Sequence, residues 1–172
     1  AKTAPIDVRE AGEYDSAKVE AVRSGIFYWI EKLISPDGKT ELAKGKPRIP
    51  GETVYVPNIG TTAAGQDGEK EIEPTGNTVI VDVVRYENLR PGIEYKASGT
   101  LHFKDGSPAT VGGNPITAET VFTPSTPNGE VEVVFQFDAS KLVGIDLVVF
   151  EDLIWLEPES VVATHHDPDD PE

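Results

Sequence analysis

Two adjacent histidines run into an acidic tail at the end of the sequence, in VVATHHDPDDPE (161–172). The β-branched residues before them predict a strand, and side chains on a strand alternate between its two faces. His165 and His166 therefore point in opposite directions and are badly placed to chelate one metal ion. An inward-facing imidazole is most often a hydrogen-bonded core residue, although it can also serve as a base near neutral pH. DPDD (167–170) lacks the Gly and the distal Glu of a calcium-binding EF-hand loop.

Two further carboxylates lie within runs of apolar residues. Glu151 follows three large apolar residues in LVVFED (147–152), and Asp82 stands among Val and Ile in VIVDVV (79–84). Charged carboxylates are costly to bury, so buried ones tend to be protonated, hydrogen-bonded or functional. We expect Glu151 to be partly buried, whereas Asp82 has an equal alternative at an edge or on the outward face of a sheet.

Other kinds of reactive site are absent from the sequence. The chain has no Cys, which excludes disulfides, zinc thiolate sites and Cys nucleophiles. It also lacks the phosphate-binding GxGxxG and GxxxxGK[ST] loops and the GxSxG elbow of hydrolases. The sequence therefore predicts no cofactor and no metal.

The elements that must position these residues are predicted to be strands. Six segments are rich in β-branched and aromatic residues: 78–86, 94–103, 116–124, 130–139, 145–156 and 161–166. Turn signals separate them in NLRPG (88–92), KDGSP (104–108) and TPNG (126–129). Short strands at this spacing, with no helical period between them, predict an all-β, immunoglobulin-like antiparallel sandwich.

The first fifty residues allow two interpretations. Residues 15–34 fit a capped amphipathic helix with Val19, Val22 and Ile26 on one face. Ser24-Gly25 interrupts that helix, and the alternative is a hairpin in which the segment from Ile26 turns at Pro36-Asp37-Gly38 and returns. We favour the hairpin and expect residues 48–60 to link it to the sandwich.

Composition narrows the choice of partners. The 172 residues include 30 Asp and Glu against 15 Lys and Arg, for a formal net charge of −15. Such a chain repels both nucleic acid and anionic lipid. No apolar stretch is long enough to cross a bilayer. The sequence has neither a signal peptide nor an initiating Met, so it reads as an internal or processed piece of a larger protein.

Four segments together resemble a known family. NIGTTA (58–63), 79–101, 133–153 and 161–170 occur in the order found in the Thr-Gln ester-bond domain, or VaFE repeat, of Gram-positive surface adhesins. The resemblance covers residues from about 57 to the end. It implies a CnaB-type sandwich whose first and last strands are joined by an autocatalytic ester between a Thr hydroxyl and a Gln side chain. It also implies a stalk module of a cell-wall-anchored, extracellular protein, and not an enzyme with turnover.

The family pattern assigns roles to individual residues. It places the reactive threonine at Thr61, with Thr62 as the neighbour that could be confused with it. The family's Phe-Glu signature falls on Phe150-Glu151, and its last-strand His and the following Asp fall on His165 and Asp170. The resemblance implies that His165 acts as the base and that Glu151 and Asp170 share a proton.

The reactive Gln would follow three residues after Asp170, beyond Glu172. We therefore expect residues 53–172 to form an ester-bond domain without its final Gln, which a longer chain or a separate peptide must supply. Residues 1–52 are expected to be an extension that weakly resembles the closing strands of a preceding adhesin domain. Neighbouring adhesin domains are the other expected partners.

Three other function classes remain open. An ordinary immunoglobulin-like adhesin or ligand-binding module would use Glu151, His165 and Asp170 as a structural polar cluster. A Thr/His/acid hydrolase is the enzyme alternative, and turnover of simple esters or amides would reveal it. A Lys-Asn isopeptide domain would need a Lys near the start of the first strand, where NIGTTAAG (58–65) has none.

Overall fold

The computed structural model describes residues 2–169. Strands dominate these residues, and the one short helical element among them is a 3-10 turn at Pro50–Glu52. The strands are β1 (Gly25–Tyr28), β2 (Lys32–Ile34), β3 (Glu41–Lys44), β4 (Thr53–Val56), β5 (Asn58–Gly65), β6 (Thr78–Glu87), β7 (Tyr95–Phe103), β8 (Thr110–Val111), β9 (Asn114–Pro115), β10 (Thr117–Phe122), β11 (Gly129–Phe137), β12 (Leu147–Trp155) and β13 (Ser160–His165).

Two sheets form the body of the molecule. One has four strands in the order β10-β7-β12-β13, and the other has three in the order β11-β6-β5. Every neighbouring pair in both sheets is antiparallel. The predicted all-β, immunoglobulin-like antiparallel sandwich is confirmed, and the six predicted strands correspond to β6, β7, β10, β11, β12 and β13.

The core lies between the two sheets because alternate residues on each strand face inward. Buried side chains from both sheets form this core. One sheet contributes Val84 on β6 and Val133 and Phe135 on β11, and the other contributes Leu101 on β7 and Leu153 on β12. Burying side chains of this size contributes about 1.5–3 kcal/mol each. Two carboxylates share this interior, and they are the center of the candidate site.

The predicted turn between β7 and the following segment forms as its sequence suggests. In KDGSP (104–108) the Asp105 carboxylate accepts hydrogen bonds from the amide and hydroxyl of Ser107 at 2.9 and 2.6 Å. Gly106 has a φ of 83°, which only glycine adopts readily. Side-chain acceptors and a left-handed glycine together close this loop tightly.

The helix predicted as one alternative for residues 15–34 is wrong. Val19 and Val22, which would have faced its packed side, are 44% and 93% exposed, and residues 2–24 form no regular element. The favoured hairpin is confirmed between β2 and β3, which pair antiparallel across the Pro36-Asp37-Gly38 turn.

The strand predicted from Ile26 to Ile34 is divided in two. Its first half, β1, pairs antiparallel with β4, and the Trp29 amide donates to the Glu52 carbonyl at 2.7 Å. The predicted linker at 48–60 is therefore partly wrong, since TVYV alternates β-branched and aromatic residues and forms β4. The division of the chain at residue 53 stays a prediction. β4 begins at that residue and pairs with β1 from the N-terminal segment.

Within residues 2–169 the chain has no helix with the length and hydropathy that a membrane crossing requires.

Candidate functional site

Two carboxylates occupy the centre of the sandwich. Asp82 on β6 and Glu151 on β12 are both 0% exposed. Asp82 stands opposite Ala63 on β5 and the buried Val133 on β11, so it faces the interior from the middle strand of its sheet. The alternative that placed Asp82 at an edge or on the outward face is wrong. Glu151 faces it from the middle of the other sheet.

Gly99 on β7 makes room for Glu151, and sequence analysis missed its role. Gly99 is the cross-strand partner of Glu151. A Cβ at this position would overlap Glu151 Oε1 and come within 2.6 Å of Phe135 Cζ. A glycine inside a strand often marks such a close approach, so the isolated Gly in KASGTL (96–101) was the signal that could have found it.

Burial raises the pKa of the Glu151 carboxyl to about 9, and the hydrogen bond and negative charge of Asp82 add to this effect. Burial also raises the pKa of Asp82, but the hydrogen bond from Glu151 opposes it, as do the Thr62 amide, His165 and Lys70. Two carboxylates this close cannot both ionise without a large penalty. The pair therefore holds at least one proton near neutral pH, and the raised pKa of Glu151 makes it a group that keeps its proton.

The acid pair has few other partners. Among residues 2–169 no donor reaches full hydrogen-bond geometry with either carboxylate. The Thr62 amide is close enough to favour the charged form of Asp82, but it is not aligned well enough to satisfy that carboxylate. A proton shared between Asp82 and Glu151 is the physical way to stabilise two buried acceptors.

His165 lies beside the pair at the end of β13. It is the cross-strand partner of Glu151 on the side opposite Gly99. Its Nδ1 is 3.4 Å from Thr61 Oγ1, across the gap between the two sheets. A Thr hydroxyl and an imidazole thus meet, and the imidazole belongs to the cross-strand neighbour of a buried carboxyl.

Strand register distinguishes Thr61 from Thr62. Residues directly opposite on antiparallel strands share a face, and Thr61 stands opposite the buried Val84 while Thr62 stands opposite Val83. Thr61 therefore points inward, toward His165, and Thr62 points outward. Only the Thr62 backbone amide takes part in the site.

The remaining predicted residues divide into two groups. His166 points to the outer face, as the strand alternation required, and makes contacts there with Phe150 and Asp152. Asp170 lies outside the described residues. Among residues 2–169 no group of three or more His, Asp and Glu side chains is placed to hold a metal ion.

An open groove of about 450 Å³ adjoins Thr61 and His165. Leu147 and Val149 contribute apolar walls, and Lys70 and Lys104 contribute charge. No Gln or Asn side chain is found among the described residues that line it. The groove has space for a further segment of chain next to the Thr61 hydroxyl.

The family model of the T-Q ester bond containing domain matches residues 57–172. This chain belongs to the T-Q ester bond domain family. The resemblance drawn from the sequence motifs is confirmed, and the match begins one residue before β5. None of the curated protein sequences matches this T-Q ester bond domain significantly.

Two solved structures resemble this T-Q ester bond domain, and both are crystal forms of one protein. That protein is a bacterial adhesin from Mobiluncus mulieris containing intramolecular disulfide, isopeptide and ester bond cross-links. The P21 form has a TM-score of 0.56 and 22% identity, and the P1 form has 0.55 and 22%. The alignment covers 68% of this chain and only 55% of the adhesin chain. At this identity the likeness establishes a shared fold.

Proposed function

We propose that this chain is a stalk module of a bacterial surface adhesin whose sandwich is closed by an ester between Thr61 and a glutamine side chain. The observation that carries the proposal is the Thr61 hydroxyl 3.4 Å from the His165 imidazole, next to a fully buried carboxylic acid. A hydroxyl, a base and a proton donor are the groups that acyl transfer to an alcohol needs.

His165 is the proposed base. A Thr hydroxyl is a weak nucleophile until a neighbouring base takes its proton. Because Nδ1 faces Thr61 Oγ1, this role requires the resting imidazole to carry its proton on Nε2. The separation of 3.4 Å is long for a hydrogen bond, as is common before the reacting partner is in place.

Glu151 is the proposed acid. A carboxamide is a poor electrophile, and a hydrogen bond from a neutral carboxyl to its oxygen would make the carbon more reactive. Glu151 suits this task because its raised pKa keeps it protonated near neutrality. Asp82 supports it by sharing the proton, and Asp170 is proposed as a further acid at the same site.

The reaction balances with these groups alone. Thr61 Oγ1 bonds to the Gln Cδ while its proton passes to His165, and the negative oxygen of the tetrahedral intermediate accepts a hydrogen bond from Glu151. The C–N bond then breaks, and the nitrogen takes the proton from His165 and leaves as ammonia. Thr61 remains esterified, so the nucleophile is not regenerated and each molecule reacts once.

The proposed partner is a segment that carries the reactive Gln, either continuing after Glu172 or on a separate peptide. The groove beside Thr61 supports this, since it is open and its described lining contains no carboxamide. The formal net charge of −15 argues against nucleic acid and anionic membranes as partners. Neighbouring adhesin domains in a cell-wall-anchored, extracellular parent protein complete the proposal, with residues 1–52 as part of a preceding domain.

A mechanical role follows from where the bond would lie. Thr61 is on β5, the first strand of the matched region, and the Gln segment follows β13, the last. An ester between them would carry an end-to-end pulling force covalently, so the intervening strands would not be loaded. A disulfide could serve the same purpose, but the chain has no Cys.

Intact mass tests the proposal directly. The chain should be extended past Glu172 by its natural residues, or mixed with a peptide carrying them, and compared with Thr61→Ala and Thr62→Ala variants. We expect the parent and Thr62→Ala to lose one ammonia and Thr61→Ala to keep its full mass, because only Thr61 points toward His165.

Three outcomes would contradict the proposal. A folded parent that retains its full mass would leave the polar cluster with a structural role only. Loss of ammonia from Thr61→Ala but not from Thr62→Ala would move the nucleophile to the neighbouring residue. Turnover of simple esters by the parent would instead favour a hydrolase.

A further inference from the structure

An aromatic stack on the outer face of the four-stranded sheet lies directly behind the site. Phe150 on β12 lies between two imidazoles, with ring centroids 4.1 Å from His102 and 5.1 Å from His166. The rings are close to parallel, with interplanar angles of 20° and 17°. His166 Nε2 is also 3.1 Å from Asp152 Oδ1. The proposed chemistry uses neither Phe150 nor His166.

The stack lies where backbone pairing ends. The last cross-strand pair between β12 and β13 joins Glu151 to His165, and β13 is an edge strand with no neighbour on its other side among residues 2–169. Edge strands and segments beyond the last backbone pair open most readily. Cross-strand backbone pairing ends at His165, and the next residue, His166, contacts β12 through its side chain.

Resting on the proposed function, we infer that His166 is a positioning residue for His165. Adjacent residues on a strand face opposite sides, so the stack on Phe150 and the polar contact with Asp152 hold the peptide between the two histidines in one orientation. That orientation directs His165 inward, where its Nδ1 lies 3.4 Å from Thr61 Oγ1. The separation is already at the long end for a hydrogen bond. A small rotation of this peptide would therefore break the contact.

The inference predicts a slower cross-link when the stack is removed. An aromatic pair and an exposed polar contact are together expected to hold the terminal segment strongly enough that His166→Ala slows ester formation about tenfold. His166→Phe retains the stack without the polar contact and should recover most of the rate. Phe150→Leu removes the stack from the other side and should match His166→Ala.

The experiment mixes the folded chain with a peptide that carries the natural residues past Glu172. Each variant is quenched at intervals, and the fraction joined to the peptide with loss of one ammonia is measured by intact mass. Thr164→Ala is the matched control, because Thr164 is exposed on the outer face of the same strand. Equilibrium urea unfolding of every variant separates a positioning effect from a general loss of stability.

A second measurement does not depend on cross-linking. In the chain as it stands, the Thr61 methyl and the His165 ring should give an NMR cross-relaxation signal in the parent and in Thr164→Ala. The inference requires this signal to weaken or vanish in His166→Ala and to return in His166→Phe. Asp152→Asn is less informative, because the charge of Asp152 also helps to raise the pKa of Glu151.

Each outcome of these two measurements either supports or overturns the positioning role of His166. An unchanged rate in His166→Ala would overturn the inference, and so would a decrease that merely follows a loss of stability shared by Thr164→Ala. If the parent forms no ester, the proposed function fails, and the NMR signal alone judges the positioning role. Its persistence in His166→Ala would then overturn the inference.

Discussion

Replacing Glu151 by Gln should remove a dependence of folding stability on pH that the buried acid pair creates. The pKa of Glu151 rises from 4.5 to about 9 on folding, chiefly because the carboxyl is buried. Between these values the folded protein holds a proton that the unfolded chain has released. The free energy of unfolding therefore falls as pH rises, by about 1.36 kcal/mol per unit.

The size of this effect is large compared with the stability of a domain. Over the window from pH 5 to pH 9 the parent should lose on the order of 5 kcal/mol, against a typical total of about 5–15 kcal/mol. Gln cannot ionise, and its amide can donate a hydrogen bond to the Asp82 carboxyl. The Glu151→Gln variant should therefore be the less pH-dependent protein and the more stable one at pH 9.

Urea unfolding at each pH, followed by tryptophan fluorescence, measures the effect. Trp155 ends β12 and reports on the sandwich, so the measurement is best made in a Trp29→Phe background. Exposed groups that both chains share and that do not contact Glu151 cancel in the difference. Four exposed carboxylates have lowered pKa values because of their hydrogen-bond partners, and their contributions are lost only as pH falls below this window: Asp37, Glu41, Asp105 and Asp138.

Parallel stability curves for the parent and Glu151→Gln across this window would refute the reasoning. That result would mean that the pair loses its proton in the folded state as readily as in the unfolded one. A steeper fall in the variant would contradict the assignment of the proton to Glu151.

Two further predictions concern packing and local stability. Gly99→Ala should destabilise the fold by about 2 kcal/mol or more, because the added Cβ would collide with Glu151 and Phe135. Gly60→Ala is the control, since a Cβ there meets open space and should change the urea midpoint little. Equal midpoints for the two variants would show that Glu151 can move aside. Amide hydrogen exchange should be much faster in β2 and β3, whose residues are all exposed, than in β6 and β12. Similar protection from exchange in the two pairs of strands would contradict a weak N-terminal hairpin.

The sequence by itself determined most of the strands of the sandwich. Alternating β-branched residues set the positions of β6, β7, β11 and β12, and turn residues between them made antiparallel neighbours the natural arrangement. The motif order placed Thr61, Glu151 and His165 in one family pattern. These inferences succeed because period and turn chemistry are local properties of the chain.

Local patterns could not determine which strands pair. The sequence from Ile26 was expected to form one strand of a hairpin, yet β1 pairs with β4, whose sequence was assigned to a linker. A two-residue periodicity indicates that a segment is extended, but it does not indicate which other strand the segment pairs with. Pairing depends on contacts between residues far apart in the chain.

The chemistry of the site also depended on the tertiary structure. Register turned Thr61 inward and Thr62 outward, and the facing of the two sheets made Asp82 the partner of Glu151. Only the approach of Phe135 and Glu151 explains Gly99, and only the folded sheet shows that His166 stacks on Phe150. A pKa set by burial and by a neighbouring charge exists only after distant strands meet, since neither the low dielectric nor the neighbour is present in the unfolded chain.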